Sequence, residues 1–338
     1  MKTKLFIGID VSKSWIDVTI LNHLDVKKSD YQQFDNSIKG FTSMTKWILA
    51  SHKVEKSDML FCLENTGIYS YSLCEYLTQN EYFTWLENPL QIKRSMGVKR
   101  AKNDKIDSLE IAKYAFRFAD IAKNYKMPTK IIKDLQDLEA LRKRLIKAKV
   151  LLEVSAKELN DCEMTSYIQD TTKDVVNEIK QKISEVEKKI KELIQQDEEV
   201  NNQYKLCISV PGIGPQTAVM LIIFTRCFTS FENVRQLACY CGIAPFEQTS
   251  GSSIKTKPRV SNLANKKLKT LLNCGATSLL QNNKETKQFY ERKRQEGKHH
   301  NSIINTIRYK MLNHVMAVIK RGSAYMPTTE YQKSKPAA

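Results

Sequence analysis

The sequence predicts an α/β domain followed by an all-α domain, with a helical connector between them. Over the first 125 residues, short apolar runs bounded by turn residues alternate with segments of helical periodicity, which is typical of a sheet with helices packed on it. From residue 131 to about residue 196, helical periodicity dominates and Gly and Pro are absent. A chain of 338 residues has room for two such domains, each with its own core.

The elements of the first domain follow from its apolar runs. Leu5 to Ile9 predicts a buried strand, Trp15 to Leu21 predicts a second strand after a short turn, and a third is expected near Ser29 to Phe34. The rest of the pattern predicts a helix over 40–50, a strand over 59–63, a helix over 69–79, a strand over 82–86 and a helix over 103–118. We place this domain at residues 1–125.

Residues 126–200 form a predicted helical coiled-coil connector. Its apolar residues recur four and three positions apart, as in a heptad seam, with Lys and Glu between them; they are Ile179, Ile183, Val186, Ile190 and Leu193. The pattern fits a helical hairpin within one chain and fits a dimerising arm equally well, so both interpretations stay open.

The second domain is expected at residues 201–325. It reads as largely helical, with a polar loop from Glu247 to Arg259. The tail at 326–338 is rich in Pro, Thr and Lys and is predicted to be disordered.

The charge balance is the most informative part of the composition. The chain has 54 Lys and Arg against 37 Asp and Glu, a formal net charge of +17. Basic residues also keep proteins soluble, but so large an imbalance repels itself unless phosphates neutralise it, which favours a nucleic acid as the partner. The sequence reaches Asp10 too early for a secretory signal, and the apolar run from Ala218 to Phe224 is too short to span a bilayer. We expect a cytoplasmic protein with no membrane partner.

Four carboxylates stand where they could share a site. Asp10 ends the first predicted strand and Glu64 ends the strand over 59–63, while Asp104 and Asp107 lie three apart at the start of a helix and so share one face. Crowded carboxylates repel, and Mg²⁺ relieves that repulsion with oxygen ligands while it leaves positions open for phosphate. Each acid alone could equally cap a helix or end a strand in a turn.

Cations precede the second pair of acids. Lysines and arginines beside a carboxylate cluster are the expected electrostatics of a site that holds a nucleic-acid backbone near metal ions, although a charge run is often only a solvated face. The predicted backbone contacts here are Lys99, Arg100, Lys102 and Lys105.

Two motifs mark the second domain. The segment from Val210 to Ala218 is typical of a helix-hairpin-helix turn, in which Gly212 and Gly214 open the backbone and the next helix offers amides to a phosphate; a tight turn between packed helices is the alternative. Ser250 lies beside a glycine in a basic loop and could act as a nucleophile, although such a loop is first of all a flexible turn. Predicted backbone contacts around it are Lys255, Lys257, Arg259, Lys266 and Lys267.

These blocks resemble the DEDD transposases of insertion sequences, which are related to the Piv-type DNA invertases. The resemblance lies in Gly8 to Lys13, Glu64 to Gly67 and Lys102 to Asp107 in the first half, and in Pro211 to Pro215, Tyr240 to Pro245 and Thr249 to Gly251 in the second. It covers nearly the whole chain, with the blocks in the expected order.

The resemblance implies an RNase H-type, RuvC-like first domain, a coiled coil and a helical transposase domain. It also implies that Asp10, Glu64, Asp104 and Asp107 bind Mg²⁺ and that Ser250 attacks the scissile phosphodiester to form a phosphoserine. The loop holds further serines, Ser252 and Ser253, but Ser250 precedes glycine as the family pattern asks. Partners implied by the resemblance are DNA, both element ends and target, a bridge RNA that pairs with it, and further copies of the chain in a homo-dimer or homo-tetramer.

Two other functions fit parts of the sequence. A metal-dependent DNA nuclease or Holliday-junction resolvase would share the four acids but use water as the nucleophile. A non-catalytic nucleic-acid-binding protein would carry the same basic residues, but it has no need for carboxylates on three separate elements.

Overall fold

The computed structural model describes residues 4–65, 67–97, 103–158, 165–250 and 254–327, excluding the side chains of 26, 155–158, 165, 248–250 and 254–257. The chain divides into two compact units, Met1–Met127 and Pro128–Ala338. The division into an N-terminal domain, a connector, a C-terminal domain and a tail stays a prediction.

The first unit is built on a five-stranded mixed sheet. Its strands lie in the order β3-β2-β1-β4-β5; β2 is antiparallel to both its neighbours, whereas β4 and β5 run parallel to β1. This α/β unit confirms the predicted fold class and fits a RuvC-like domain. The strands are β1 (Leu5–Val11), β2 (Trp15–Asn22), β3 (Asp25–Asp35), β4 (Met59–Glu64) and β5 (Phe83–Glu87).

Helices cover both faces of this sheet. On one face, Phe41 and Leu73 from α1 and α2 pack on the strand residues Ile7 and Phe61. On the other face, α3 and α4 pack on the alternate strand residues, among them Phe6, Leu60 and Cys62. The helices of this unit are α1 (Ile38–Ser51), α2 (Ile68–Gln79), α3 (Pro89–Ser95) and α4 (Asp104–Arg117).

Gly8 brings α4 against the centre of the sheet. A β-carbon at Gly8 would lie 2.2 Å from the Ala112 amide nitrogen and 2.3 Å from the Ser108 carbonyl oxygen, so any larger residue would collide with the helix backbone. A buried hydrogen bond of 2.8 Å between the hydroxyls of Thr19 and Ser108 holds the same contact. The close approach that this glycine permits is therefore that of α4, and it fixes where the first turn of α4 lies relative to β1 and β2.

The second unit is mostly helical, which confirms the other half of the fold class. Its core is formed by side chains from both ends of the unit, including Leu135, Leu221, Leu272 and Leu312. Its elements are α5 (Lys130–Glu158), α6 (Thr165–Gln196), α7 (Glu198–Ser209), α8 (Pro215–Thr225), α9 (Val234–Tyr240), β6 (Pro245–Ser250), β7 (Ile254–Val260), α10 (Lys266–Asn282), α11 (Lys284–Gln295) and α12 (His300–Arg321).

The long helices α5 and α6 lie side by side and antiparallel. Arg142 of α5 pairs with Glu187 of α6 at 2.7 Å, and Glu153 pairs with Lys180 at 3.8 Å, so positions later in α5 meet positions earlier in α6. Near its base the helix pair contributes buried residues, such as Ile190, to the core of the second unit. The structure therefore describes a helical hairpin within one chain, and a dimerising role stays a prediction.

The prediction of a polar loop from Glu247 to Arg259 is wrong. Most of it belongs to a β-hairpin, in which β6 and β7 pair antiparallel with Ser250 opposite Ile254. The β-branched residues Thr249, Ile254 and Val260 favour strands, and prolines near both ends are tolerated because each strand of a two-stranded sheet is an edge. The strands were not predicted because the segment is rich in polar residues, which are also typical of loops.

Within the described ranges, no helix combines the length and the apolar character needed to cross a bilayer. The seven cysteines that the structure describes are free thiols.

Candidate functional site

Four acidic residues form a row across four neighbouring strands. Asp17 of β2 lies opposite Asp10 of β1, and Glu64 of β4 lies opposite Glu87 of β5. Asp10 and Glu64 each follow the last paired positions of β1 and β4, Ile9 and Leu63, so they too are neighbours. Because adjacent strands are about 4.8 Å apart and side chains alternate between faces, all four acids project from the same face.

That face is the one covered by α4. The helix begins at Asp104, with the side chain of Asn103 accepting a 2.8 Å hydrogen bond from the Ile106 amide. Asp104 and Asp107 therefore lie in its first turn, where acids are favoured by the helix dipole. Since Gly8 sets α4 on β1 and β2, this turn comes close to Asp10. The structure thus places Asp10 near Asp104 and Asp107, and Glu64 beside Asp10 on the adjacent strand; their role as metal ligands stays a prediction.

The pKa of Asp10 reflects the crowding of these acids. Its pKa is raised from 3.8 to about 6, first by burial and then by the charges of Asp107, Asp104 and Asp17; a backbone hydrogen bond at Val11 acts in the opposite direction. Burial and neighbouring negative charges make the ionised form of this carboxyl less stable than that of a free one, and a bound cation would offset both effects. The cluster therefore has the charge of a cation site.

Two acids of the row were missed in the sequence. Asp17 is only 2% exposed and accepts hydrogen bonds from Tyr31 at 2.5 Å and from Gln33 at 3.1 Å. Glu87 accepts a 3.1 Å hydrogen bond from the Tyr114 hydroxyl. The bond to Asp17 raises the pKa of Tyr31 to about 12, so the phenol stays a donor. Two tyrosine hydroxyls therefore fix the outer acids of the row.

The donor set fits a divalent cation. Carboxylate oxygens are the ligands that Mg²⁺ prefers, and Asp10, Glu64, Asp104 and Asp107 would supply them from two strands and a helix. In the part of the chain that the structure describes, no three acidic, His or Cys side chains are gathered closely enough to hold an ion as they are placed. Binding would therefore require their side chains to turn toward a common ion.

Of the four backbone contacts predicted beside the acids, the structure describes Lys105, in the first turn of α4; Lys99, Arg100 and Lys102 lie outside the described residues. Lys105 is exposed, and its ammonium nitrogen lies 5.0 Å from the centre of the Tyr31 ring. It therefore puts a cation beside the row of acids, where a phosphate approaching the acids would meet it.

The two glycines of the helix-hairpin-helix-like segment have different surroundings. Gly212 has a φ of +84°, and a β-carbon there would lie 2.8 Å from the Leu279 side chain. Across the same contact, a β-carbon at Gly275 would lie 2.2 Å from the carbonyl oxygen of Gly212. Gly214 is the N-cap of α8 and faces open space. Gly212 thus serves close packing with α10, while a phosphate contact at either glycine stays a prediction.

The predicted cations of the second unit also differ in their surroundings. Lys267 lies 3.5 Å from a carboxylate oxygen of Glu139, which is buried and also accepts a 2.8 Å hydrogen bond from Gln216. Part of the Lys267 charge is therefore balanced within the protein. Lys266 and Arg259 are exposed, whereas the side chains of Lys255 and Lys257 lie outside the described residues.

Ser250 is the last residue of β6 and lies opposite Ile254 of β7. Its side chain, and residues 251–253 with Ser252 and Ser253, lie outside the described part of the chain. The hairpin therefore sets the backbone position of Ser250 at a strand end.

The carboxylates lie on one face of a mixed sheet, at its strand ends and at the start of the covering helix. This arrangement is typical of enzymes that act on nucleic acid with divalent cations. Two family models match the chain. One, for DEDD transposases of the IS110 type, matches residues 7–158, and the other, for transposases of the IS116/IS110/IS902 family, matches residues 204–291. The chain belongs to the IS110 family of transposases, enzymes that act on DNA.

Three relatives are similar to this chain. Pilin gene-inverting proteins of Moraxella lacunata and Moraxella bovis are each 27% identical over 329 residues, which is 96% of this chain and 98% of theirs. An IS110 insertion element protein of 43.6 kDa from Streptomyces coelicolor is 29% identical over 119 residues, 35% of this chain and 29% of its own length.

Proposed function

We propose that this protein is the recombinase of an insertion sequence, which cuts and exchanges DNA strands with the help of Mg²⁺. The observation that carries the proposal is the approach of Asp10 to Asp104 and Asp107; burial, and then the charges of these and other acids, raise the pKa of Asp10 to about 6. A protein that only bound DNA would have no use for mutually repelling acids on one face of its sheet. The row of acids is thus the proposed catalytic centre.

Asp10, Glu64, Asp104 and Asp107 would hold Mg²⁺, which when bound offsets phosphate charge and activates the phosphodiester as a Lewis acid. The residues around them have supporting tasks. Tyr31 and Tyr114 hold Asp17 and Glu87 in place through hydrogen bonds of 2.5 and 3.1 Å. Lys105 supplies a positive charge beside the acids for the DNA backbone.

Ser250 is the proposed nucleophile. Its oxygen would form a bond to phosphorus, one ester P–O bond of the strand would break, the serine proton would pass to a base, and the departing strand oxygen would take up a proton. Family resemblance supports this role, as does the position of Ser250 at the end of β6. Strand exchange would then pass through a Holliday-junction-like intermediate.

We further propose that a bridge RNA guides the enzyme to target and donor DNA, because sequence choice then lies in base pairing and leaves the protein to hold backbones. The net charge of +17 supports contact with more than one nucleic acid. The hairpin of α5 and α6 is the proposed arm for assembly into a dimer or tetramer.

A second candidate function is site-specific inversion of a DNA segment. It is favoured by the likeness to the pilin gene-inverting proteins, which extends over 96% of this chain. Inversion and transposition share strand cleavage and rejoining, and they differ in how the exchanged ends are arranged. Both would use the same acids and the same serine.

The experiment uses the full chain, RNA transcribed from its own element, and a plasmid carrying the element ends. We expect recombinant products with Mg²⁺ and none with a chelator. Asp10→Asn should abolish the products, whereas Asp25→Asn, a matched change at the exposed start of β3, should leave them unchanged. Full activity of Asp10→Asn would overturn the proposal. The arrangement of the product ends distinguishes transposition from inversion.

A further inference from the structure

A large cleft opens in the second unit beside the base of the β6–β7 hairpin. It has a volume of about 1060 Å³ and lies between α9, α10, α12 and the hairpin. Side chains from all four elements line it, among them Arg235, Arg259, Lys269, Asn301 and Arg308. The cleft is well removed in sequence from the four acids of the first unit.

The lining of the cleft carries positive charges that no described acidic lining residue balances. Arg235 of α9, Arg259 of β7, Lys269 of α10 and Arg308 of α12 all line it, and no acidic residue is among its described lining residues. Within the described part of the chain, none of these four forms an ion pair, in contrast to Lys267, which meets Glu139. Cations that converge from four elements without carboxylates repel one another, so an anion would stabilise the arrangement.

Arg308 adds a second, independent sign of a ligand. One of its terminal nitrogens donates to the side chain of Asn273, while its buried Nε has no acceptor among the described residues. Burial also lowers the pKa of the guanidinium from its usual value. A partly buried guanidinium with incomplete hydrogen bonding is suited to bind an oxyanion, which would accept the remaining hydrogen bond.

The wall of the cleft is held in place by the protein itself. Asn305 of α12 donates a 2.5 Å hydrogen bond to the carbonyl oxygen of Ile243, just before β6. Asn265 caps α10 and donates from its backbone to the Tyr240 carbonyl oxygen at 2.7 Å. These bonds tie the segment that enters the hairpin to α10 and α12. The four cations are therefore presented by a preformed frame.

We propose that this cleft binds the phosphodiester backbone of a nucleic-acid strand and holds that strand against the base of the hairpin. A single phosphate would leave most of the volume and some of the cations unused, whereas successive phosphates of one strand match charges spread over four elements. Asn301 and Ser302, which also line the cleft, can donate to phosphate or sugar oxygens. The inference rests on the proposed function and deepens it, since it names where a strand would lie relative to the serine hairpin.

The test measures binding alone, with the full chain in a chelating buffer that prevents cleavage. The probes are a labelled single-stranded DNA and the RNA of the same sequence, titrated at several salt concentrations. The cleft variant is Arg235→Gln with Lys269→Gln. The control is Lys173→Gln with Lys188→Gln, two exposed cations of α6, so both variants lose two charges.

The salt dependence of binding is the readout. The slope of log affinity against log salt should fall by about 0.7 for each cation that contacts a phosphate of a single strand, hence by about 1.4 in the cleft variant, and stay near the wild-type value in the control. A loss with DNA, with RNA or with both supports the cleft and identifies the strand it holds. Equal slopes in the two variants with both probes would overturn it.

Arg308 gives a second measurement. Arg308→Lys keeps the charge but loses the planar fork of donors, so we expect weaker binding than wild type at an unchanged unfolding temperature. Unchanged binding of this folded variant would remove Arg308 from the site. Because neither assay needs Mg²⁺ or Ser250, failure here leaves strand cleavage by the acids and the serine to be judged by product formation.

Discussion

Gly8 of β1 lies directly beneath Ala112 of α4, so closely that a β-carbon on the glycine would be 2.2 Å from the amide nitrogen of the alanine. This contact does more than pack a helix on a sheet. It determines how near the first turn of α4, with Asp104 and Asp107, comes to Asp10. The packing of α4 and the geometry of the candidate site therefore both depend on the absence of a side chain at Gly8.

Gly8→Ala should therefore cost both stability and activity. Because both clashing atoms are backbone, α4 must shift, and overpacking of this kind costs about 1–3 kcal/mol. The free energy of unfolding in urea measures the loss, and recombinant product measures the effect on the site. Ser43→Ala, at an exposed position of α1, is the control and should leave both unchanged. Equal stability of the glycine variant would contradict the close approach.

The position of Asp10 on a strand end could be predicted from the sequence, since an apolar run that stops at a carboxylate is a local pattern. The inclusion of Asp17 could not. It lies within a strand, and its place opposite Asp10 depends on the register of the β1–β2 hairpin. A shift by one residue would turn it to the other face.

In the second unit, too, contacts between residues far apart in the sequence decide the features that local patterns do not predict. The pairing of Lys267 with Glu139 joins residues that are 128 positions apart, so no local pattern could reveal that this cation is partly balanced. The β6–β7 hairpin could not be predicted because its many polar residues are also typical of loops. The cleft beside it draws cations from four elements and exists only after the helices pack.

The raised pKa of Asp10 predicts how stability depends on pH. Its folded pKa of about 6 exceeds the ordinary 3.8, so the folded state binds this proton more tightly than the unfolded state does. In metal-free buffer, this contribution to stability is present below about pH 4 and is lost as the pH rises through 6. Allowing for screening by solvent, the loss is about 1–2 kcal/mol.

Urea unfolding between pH 4 and pH 7 checks this dependence. Asp10→Asn should flatten the curve over that range, and Mg²⁺ should raise the stability of the wild type at pH 7 more than that of the variant, because ligands that bind the folded state stabilise it. A variant curve that keeps the full wild-type slope would show that other groups cause it.

Tyr31→Phe tests the hydrogen bond that holds Asp17. The change leaves a 2% exposed carboxylate without its 2.5 Å donor, so we expect a loss of about 1–3 kcal/mol in the free energy of unfolding. Tyr69→Phe, at an exposed position of α2, provides the matched control. If the two variants unfold alike, the Tyr31 hydroxyl has no role in fixing the acid.

Ser250→Ala decides between the serine and water as the nucleophile. If the serine attacks, the variant should lose recombinant product and any covalent protein–DNA adduct, while its binding to DNA is unchanged, since it removes one oxygen at the end of β6. Ser230→Ala, an exposed serine elsewhere in the unit, should behave as the wild type. Mapping the adduct on the wild-type chain by mass spectrometry distinguishes Ser250 from Ser252 and Ser253. A Ser250→Ala variant that still cuts DNA with Mg²⁺ and forms no adduct would instead be a hydrolase built on the same acids, and the nuclease interpretation would replace the recombinase.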